Sequence, residues 1–101
     1  VSEQLLYEHG AVSRKVAAAM AKGMRERTGV SVTLSVTGIA GPGGATETKP
    51  VGLVYIGLDG DGDEIITREF RFHGDRSVIR QRAAQAALDM LRRWLLSKGG
   101  P

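Results

Sequence analysis

The sequence predicts a layered α/β or α+β domain in which two main helices cover a small sheet. Three observations lead to this fold class. The chain has 101 residues, which is the size of one domain. Apolar residues recur at helical spacing near both ends of the chain and at strand spacing between them. Aromatic residues make up only 5% of the chain, so the core must be built from aliphatic side chains and alanine.

Two helices are predicted before residue 30. Ser2–Glu8 forms a short helix with Ser2 as its N-cap, and Gly10 ends it. A longer helix is capped by Ser13, runs to about Arg27 and stops at Gly29. Its apolar positions, which we expect to face the core, recur at helical spacing: Val16, Ala17, Met20, Ala21 and Met24.

Three strands are predicted in the middle of the chain. Val30–Val36 is rich in β-branched residues and alternates only in part, which is typical of a strand covered on both faces. Val51–Leu58 is apolar on both of its alternating faces, so it is predicted to be central. The turn Asp59–Asp63 joins it in a hairpin to Glu64–Phe72, which alternates apolar and charged residues and belongs near an edge. Three strands leave edges that must be paired or covered, so the sheet is predicted to be incomplete.

The last helix begins after Asp75, a good N-cap, and runs to about Leu96. Alanines in the middle of its apolar stripe allow close packing on a sheet. The stripe comprises Ile79, Ala83, Ala86, Ala87, Met90, Leu91, Trp94 and Leu95.

The segment Thr37–Gly44 is the strongest candidate for a site. It reads Thr-Gly-Ile-Ala-Gly-Pro-Gly-Gly and is predicted to be a loop at the end of a strand, where open α/β folds bind small molecules. It is not a Walker A loop, because Gly44 and Ala45 stand where lysine and serine or threonine are needed. It is not a Rossmann fingerprint, because the spacing fails and no helix follows. Two interpretations stay open: an anion nest of backbone N–H groups with the Thr37 hydroxyl at its lip, or a structural turn.

Arg76 and Arg80 form a second candidate. They lie one turn apart at the start of the last helix and therefore share a face. Two cations there oppose the helix dipole, which is unfavourable unless an anion is present. One interpretation is a clamp for phosphate or carboxylate. The other is a set of salt bridges to Asp75 or Glu69, or simple solvation.

Composition and charge narrow the range of possible binding partners and cellular compartments. The net charge is +3 with a pI near 9.7, and the basic residues lie along both main helices, as a solvated face or as a binding surface for an anion. They are not interleaved with exposed aromatic residues, and we expect no nucleic-acid partner. The chain has no cysteine, which fits a reducing compartment. No apolar run approaches the roughly 20 residues that span a membrane, and no signal peptide is visible, so we expect a cytoplasmic protein without membrane contact.

The other chemistry-bearing residues give weaker signals. Asp59, Asp61 and Asp63 resemble the start of a calcium loop, but its glycine and its final glutamate are missing, which favours a hairpin turn. His9 and His73 are far apart in sequence and belong to no cluster of ligands. We therefore expect neither a metal nor a cofactor.

Several ordered motifs resemble a known family. Thr37–Gly44 is followed by Lys49–Gly52 and by Phe72–Arg76, and His9–Ser13 precedes them. Together with the alanine-rich last helix, they resemble the C-terminal domain of the CinA (competence/damage-inducible) family over essentially the whole chain, residues 1–101. The combination is much more specific than any single glycine loop.

The resemblance implies a three-layer α/β/α sandwich with a mixed sheet and no required metal or cofactor. It also implies nicotinamide mononucleotide deamidase activity: an amidohydrolase that converts the carboxamide of nicotinamide mononucleotide to nicotinate mononucleotide and ammonia, in pyridine nucleotide recycling. The family segments with the nucleophilic serine and the assisting tyrosine and lysine are absent here. The chain thus resembles only the C-terminal portion of the domain, without the family's N-terminal helix and strand, and we expect it to be inactive alone.

The resemblance also implies which residues bind the substrate and support the active site. The expected partners are the mononucleotide and either the missing N-terminal segment or a second chain that completes the sheet, in a homo-oligomer. The alternative is a non-catalytic module that binds a nucleotide, a phosphate or another protein, since the sequence contains no convincing nucleophile–base pair. The expected site residues are Thr37, Gly38, Ile39, Ala40, Gly41, Arg76 and Arg80.

Overall fold

The structure, a computed structural model, describes residues 13–38, 52–60 and 62–98. They form five elements in the predicted order. The predicted short helix Ser2–Glu8 lies outside the described residues, as does the segment that joins the first two strands. The elements are α1 (Arg14–Thr28), β1 (Val32–Gly38), β2 (Leu53–Gly60), β3 (Ile66–Arg71) and α2 (Arg76–Ser97).

The strands form one sheet in the order β1-β2-β3. Both pairs are antiparallel, so the parallel pairing that a mixed sheet requires is not present among the described strands. Ile56 of β2 lies opposite Val36 on one side and Arg68 on the other, which fixes the register. The prediction that the second strand is central is confirmed, since β2 is paired along both edges and buried over almost its whole length.

The two helices cover opposite faces of this sheet. On one face, the Thr33 hydroxyl donates to the Ala21 carbonyl and the Ser35 hydroxyl to the Ala17 carbonyl, each at 2.5 Å, which joins β1 to α1. On the other face a core cluster forms between β2 and α2. The three-layer α/β/α prediction is confirmed. The buried members of the cluster are Val54, Ile56, Leu58, Ile79, Ala83, Ala87 and Met90.

The predicted core faces of the helices need correction at three positions. Met20, Met24 and Leu95 are exposed rather than buried. In α1 the small residues Ala17 and Ala21 are fully buried together with Val16, because the carbonyls of the two alanines receive the strand hydroxyls and leave no room for longer side chains at these two positions. The two methionines lie beside the outer edge of β1.

Two strands, β1 and β2, extend further at their C-terminal ends than predicted. Thr37 and Gly38, predicted as the start of a loop, belong to β1 because they pair with Tyr55 and Val54. Asp59, predicted as part of the turn, is the buried partner of Thr33 in the ladder. Cross-strand pairing thus overrides the turn preference of aspartate and glycine.

Helix caps follow the prediction and orient both helices. The Ser13 hydroxyl accepts from the Val16 N–H at 3.1 Å, the Asp75 carboxylate accepts from the Val78 N–H at 3.0 Å, and Gly29 ends α1 in the left-handed conformation with φ 71°. Each helix runs antiparallel to β1, since residues later in the helix contact residues earlier in the strand. Both helices therefore begin at the end of the sheet where β1 ends.

Candidate functional site

A groove lies between the end of β1 and the start of α2, and we call it the arginine groove. Its volume is about 380 Å³. Arg76 and Arg80 lie on its α2 side and Gly38 on its β1 side, so the structure brings together three of the predicted site residues. The remaining lining is apolar and comprises Val36, Val54, Ile79, Ala83 and Ala84.

The two arginines have no acidic partner in the described residues. The proposed salt bridges are not formed, because the two candidate carboxylates are engaged elsewhere. Asp75 caps the helix, and Glu69 accepts from the Tyr55 hydroxyl at 2.8 Å and from Arg71 at 3.4 Å. Both guanidinium groups of the arginine groove remain able to bind an anion.

Arg76 and Arg80 also line a second, outer depression of about 550 Å³, together with Ser77 and Gln81. They therefore separate an apolar groove from a polar one. A guanidinium in this position offers a planar pair of donors to phosphate or carboxylate oxygens. The apolar lining of the arginine groove offers a surface to an uncharged ring. The arrangement is suited to a small ligand with an anionic group at one end and a planar apolar group at the other.

Thr37 lies on the other face of the sheet. Residues of β1 alternate between faces, and the neighbouring Ser35 bonds to α1 while Val36 and Gly38 line the arginine groove. The alternation of β1 directs Thr37 toward the α1 face, and the loop at whose lip its hydroxyl is expected lies outside the described residues. Ile39, Ala40 and Gly41 lie outside the described residues.

A polar cluster at the same end of the sheet was missed by the sequence reasoning. Arg14 of α1 donates to the Thr67 carbonyl and hydroxyl, both at 3.1 Å, and its guanidinium lies 5.9 Å from the centre of the Tyr55 ring. The hydrogen bond to Glu69, followed by burial, raises the pKa of Tyr55, and the same bond lowers the pKa of Glu69. The tyrosine thus stays a neutral donor. Its partner Glu69 lies on the neighbouring strand β3, and no local sequence motif signals a contact between two strands.

Described side chains provide no cluster of three or more histidine, aspartate or glutamate residues for a metal ion. Of the proposed calcium-loop residues, Asp59 pairs with Arg25 at 3.0 Å. Asp63 pairs with Lys98 at 2.6 Å and accepts from the Trp94 indole N–H at 2.8 Å, while Asp61 lies outside the described residues. Neither described helix is long and apolar enough to cross a membrane.

Comparison with known proteins identifies the family. The model of the CinA C-terminal domain matches residues 1–95. The chain belongs to the CinA C-terminal domain family. Among curated CinA-family relatives, a putative competence-damage inducible protein of Caldicellulosiruptor bescii is 52% identical over 96 residues, and a CinA-like protein of Desulfotalea psychrophila is 54% identical over the same length. Each alignment covers 95% of this chain and 23% of the relative.

Solved CinA-family structures have the same fold. A competence/damage inducible protein of Agrobacterium tumefaciens superposes with a TM-score of 0.88 at 38% identity, covering 92% of this chain and 57% of the other. A CinA superfamily protein of Escherichia coli superposes at 0.87 with 37% identity, covering 94% and 55%. The chain therefore spans about a quarter of its curated relatives and somewhat over half of these solved chains.

Proposed function

We propose that this chain is the substrate-binding part of an amidohydrolase that converts nicotinamide mononucleotide to nicotinate mononucleotide and ammonia. The observation that carries the proposal is the arginine groove. Two guanidinium groups without a carboxylate partner in the described residues stand at the rim of an apolar groove. Phosphate would bind the guanidinium groups and the pyridine ring would lie against the apolar lining. The cytoplasmic setting predicted from the sequence belongs to the same proposal.

Binding is tested by titrating nicotinamide mononucleotide into the chain and into Arg76→Ala. We expect the substitution to weaken binding by about tenfold or more, because a hydrogen bond to a charged group contributes about 1.5–3 kcal/mol. Arg82→Ala is the matched control: Arg82 is an exposed arginine on the same helix that does not line the groove. Nicotinamide riboside, which lacks the phosphate, should bind the chain no better than it binds Arg76→Ala. Equal affinity for nucleotide and riboside in the unsubstituted chain would rule out the phosphate role.

The nucleophile would come from polypeptide outside this sequence. Two described serines are already engaged, since Ser13 caps α1 and the buried Ser35 hydroxyl donates to α1. The segment with the nucleophile would pair with the outer edge of β1, which ends at Gly38 beside the arginine groove.

The contrast between the two edges of the sheet supports this placement. The β3 edge carries the charged side chains of Arg68, Glu69 and Arg71, a common protection against further pairing. The β1 strand carries no charge and exposes Val36, and beside it lies a groove of about 620 Å³ formed with Met20 and Met24 of α1. An uncharged edge with exposed apolar side chains beside it is suited to pairing with another strand.

A chimera tests this part of the proposal. This chain would replace the matching 57% of the Agrobacterium tumefaciens protein, with that unmodified protein as reference. We expect ammonia release from nicotinamide mononucleotide by the chimera and none by the chain alone. Met24→Lys, in the groove beside β1 and outside the arginine groove, should lower the activity of the chimera, whereas Ile66→Lys, an exposed residue on the opposite edge, should not. Equal effects of both substitutions would contradict pairing at β1.

A non-catalytic binding module is the second candidate, and the structural use of Ser13 and Ser35 favours it for the isolated chain. A chimera that binds the mononucleotide without releasing ammonia would support this candidate. A stable homodimer of the chain, formed through the β1 edge and retained in the chimera, would instead assign that edge to a second copy.

A further inference from the structure

The connector between β3 and α2, residues 72–75, determines where α2 and its first residue Arg76 lie. Gly52 packs against the first residue of this connector. The Phe72 N–H donates to the Gly52 carbonyl at 2.9 Å. Gly52 has φ 93°, a conformation that L side chains rarely adopt, and a Cβ at this position would overlap the Phe72 carbonyl oxygen. Because the obstructing atom belongs to the backbone, it can move only if the connector itself moves.

The other end of the connector is held by a second close contact. Gly74 has φ 123°, and a Cβ there would lie 2.8 Å from a methyl group of Val78. Asp75 then accepts from the Val78 N–H at 3.0 Å and starts the helix. Arg76 follows directly, so the connector has little freedom between the sheet and the first arginine of the groove.

A shift of this connector would move Arg76 and Arg80 relative to Gly38 and Val54 on the opposite side of the arginine groove. We propose that Gly52, through its contact with Phe72, is a positioning residue that sets the distance of the two guanidinium groups from the end of β1. The inference rests on the proposed function, because it assigns a purpose to that distance. It adds a residue to the site that does not line the groove.

The test compares two glycines with similar backbone conformations. Gly62 has φ 81°, but a Cβ there would meet no atom within 4 Å. Gly52→Ala and Gly62→Ala thus introduce similar backbone strain, and only the first pushes on the connector. The backbone amide resonances of Arg76 and Arg80 report the position of the helix start, and titration with nicotinamide mononucleotide reports the site.

We expect Gly52→Ala to shift both amide resonances and to weaken mononucleotide binding by about tenfold, the effect of losing one well-placed charged hydrogen bond. Gly62→Ala should leave both unchanged. Unmoved resonances in Gly52→Ala, or equal shifts in the two variants, would overturn the inference. If the unsubstituted chain does not bind the mononucleotide but the resonances respond as expected, the proposed function fails and the positioning role stands.

A second pair of variants covers the case in which Gly52→Ala does not fold. Asp75→Ala removes the cap and frees the other end of the connector, whereas Asp75→Asn keeps a good cap and removes the charge. We expect the alanine variant to shift the resonances of Arg76 and Arg80 and to bind the mononucleotide less well than the asparagine variant. Identical resonances and affinities in the two variants would contradict a positioning role for the connector.

Discussion

The ion pair between Arg25 and Asp59 gives the sharpest stability prediction. Arg25 lies near the end of α1, and its Nε is 3.0 Å from a carboxylate oxygen of Asp59 at the end of β2. The Asp59 side chain is 4% exposed and the Arg25 side chain 29% exposed. The pair is therefore asymmetric: without its partner, the arginine can still reach water, and the aspartate cannot.

This asymmetry in burial determines how much each substitution is expected to lower the free energy of unfolding. Arg25→Ala leaves a buried carboxylate without its partner, and breaking a buried pair in this way costs about 3–5 kcal/mol. Asp59→Asn keeps the shape and leaves an arginine that can still reach water, so the loss should be smaller than that of Arg25→Ala and larger than that of breaking an exposed pair. The nearby pair Lys22–Glu26 is 3.9 Å apart with both side chains about 60% exposed, so Glu26→Ala should cost at most about 1 kcal/mol.

Urea unfolding of the three variants checks this order. The reasoning requires Arg25→Ala to be the least stable, Asp59→Asn intermediate and Glu26→Ala close to the unsubstituted chain. A loss in Arg25→Ala no larger than that in Glu26→Ala would refute it, because the pair would then behave as a solvated one. A larger loss in Asp59→Asn than in Arg25→Ala would refute the assignment of the burial to the aspartate.

Two further predictions concern other contacts. A hydrogen bond from Lys98, followed by one from Trp94, lowers the pKa of Asp63. The ionised carboxylate therefore stabilises the folded chain at pH values above the ordinary aspartate pKa, and this stabilisation is lost as the pH falls through the lowered pKa. The fluorescence of Trp94, the only tryptophan, should change in that acid range, and a persisting change in Asp63→Asn would contradict the assignment. Gly57→Ala should destabilise the chain by about 1–3 kcal/mol, because the new Cβ would lie 2.6 Å from an α1 carbonyl oxygen. Gly23→Ala, in an open helical position, should stabilise it by up to about 1 kcal/mol. Equal effects of the two substitutions in urea unfolding would exclude close packing at Gly57.

Much of the fold could be predicted because local signals agree with it. Ser13, Gly29 and Asp75 are residue types whose preferences act within one helical turn, and all three mark the observed helix ends. The central position of β2 also followed from its sequence, since a strand that is apolar on both faces must be covered on both. These features depend on neighbours in the sequence.

The features that sequence reasoning missed depend on contacts between distant residues. Asp59 has the composition of a turn but lies buried in β2, because Arg25 of α1 compensates its charge. Met24 has the spacing of a core residue but is exposed, because alanines bring α1 close to the sheet. The candidate site likewise combines features set by sequence neighbours with features set by contacts between distant residues. Arg76 and Arg80 were selected by local electrostatics and do line one groove, whereas the alternation of β1 directs Thr37 to the opposite face.

The arginines of α2 differ in a way that bears on the site. In the C-terminal half of the helix, Arg92 and Arg93 both pair with Asp89 at 2.9 Å. At the start, where the helix dipole makes cations unfavourable, Arg76 and Arg80 have no carboxylate partner in the described residues. A sequence selected for stability alone would reverse this distribution. Local departures from stability are expected at functional sites, where a ligand compensates for them. A phosphate between the two N-terminal arginines would supply the missing negative charge, and it would do so at the end of the sheet where β1 leads into the glycine-rich segment.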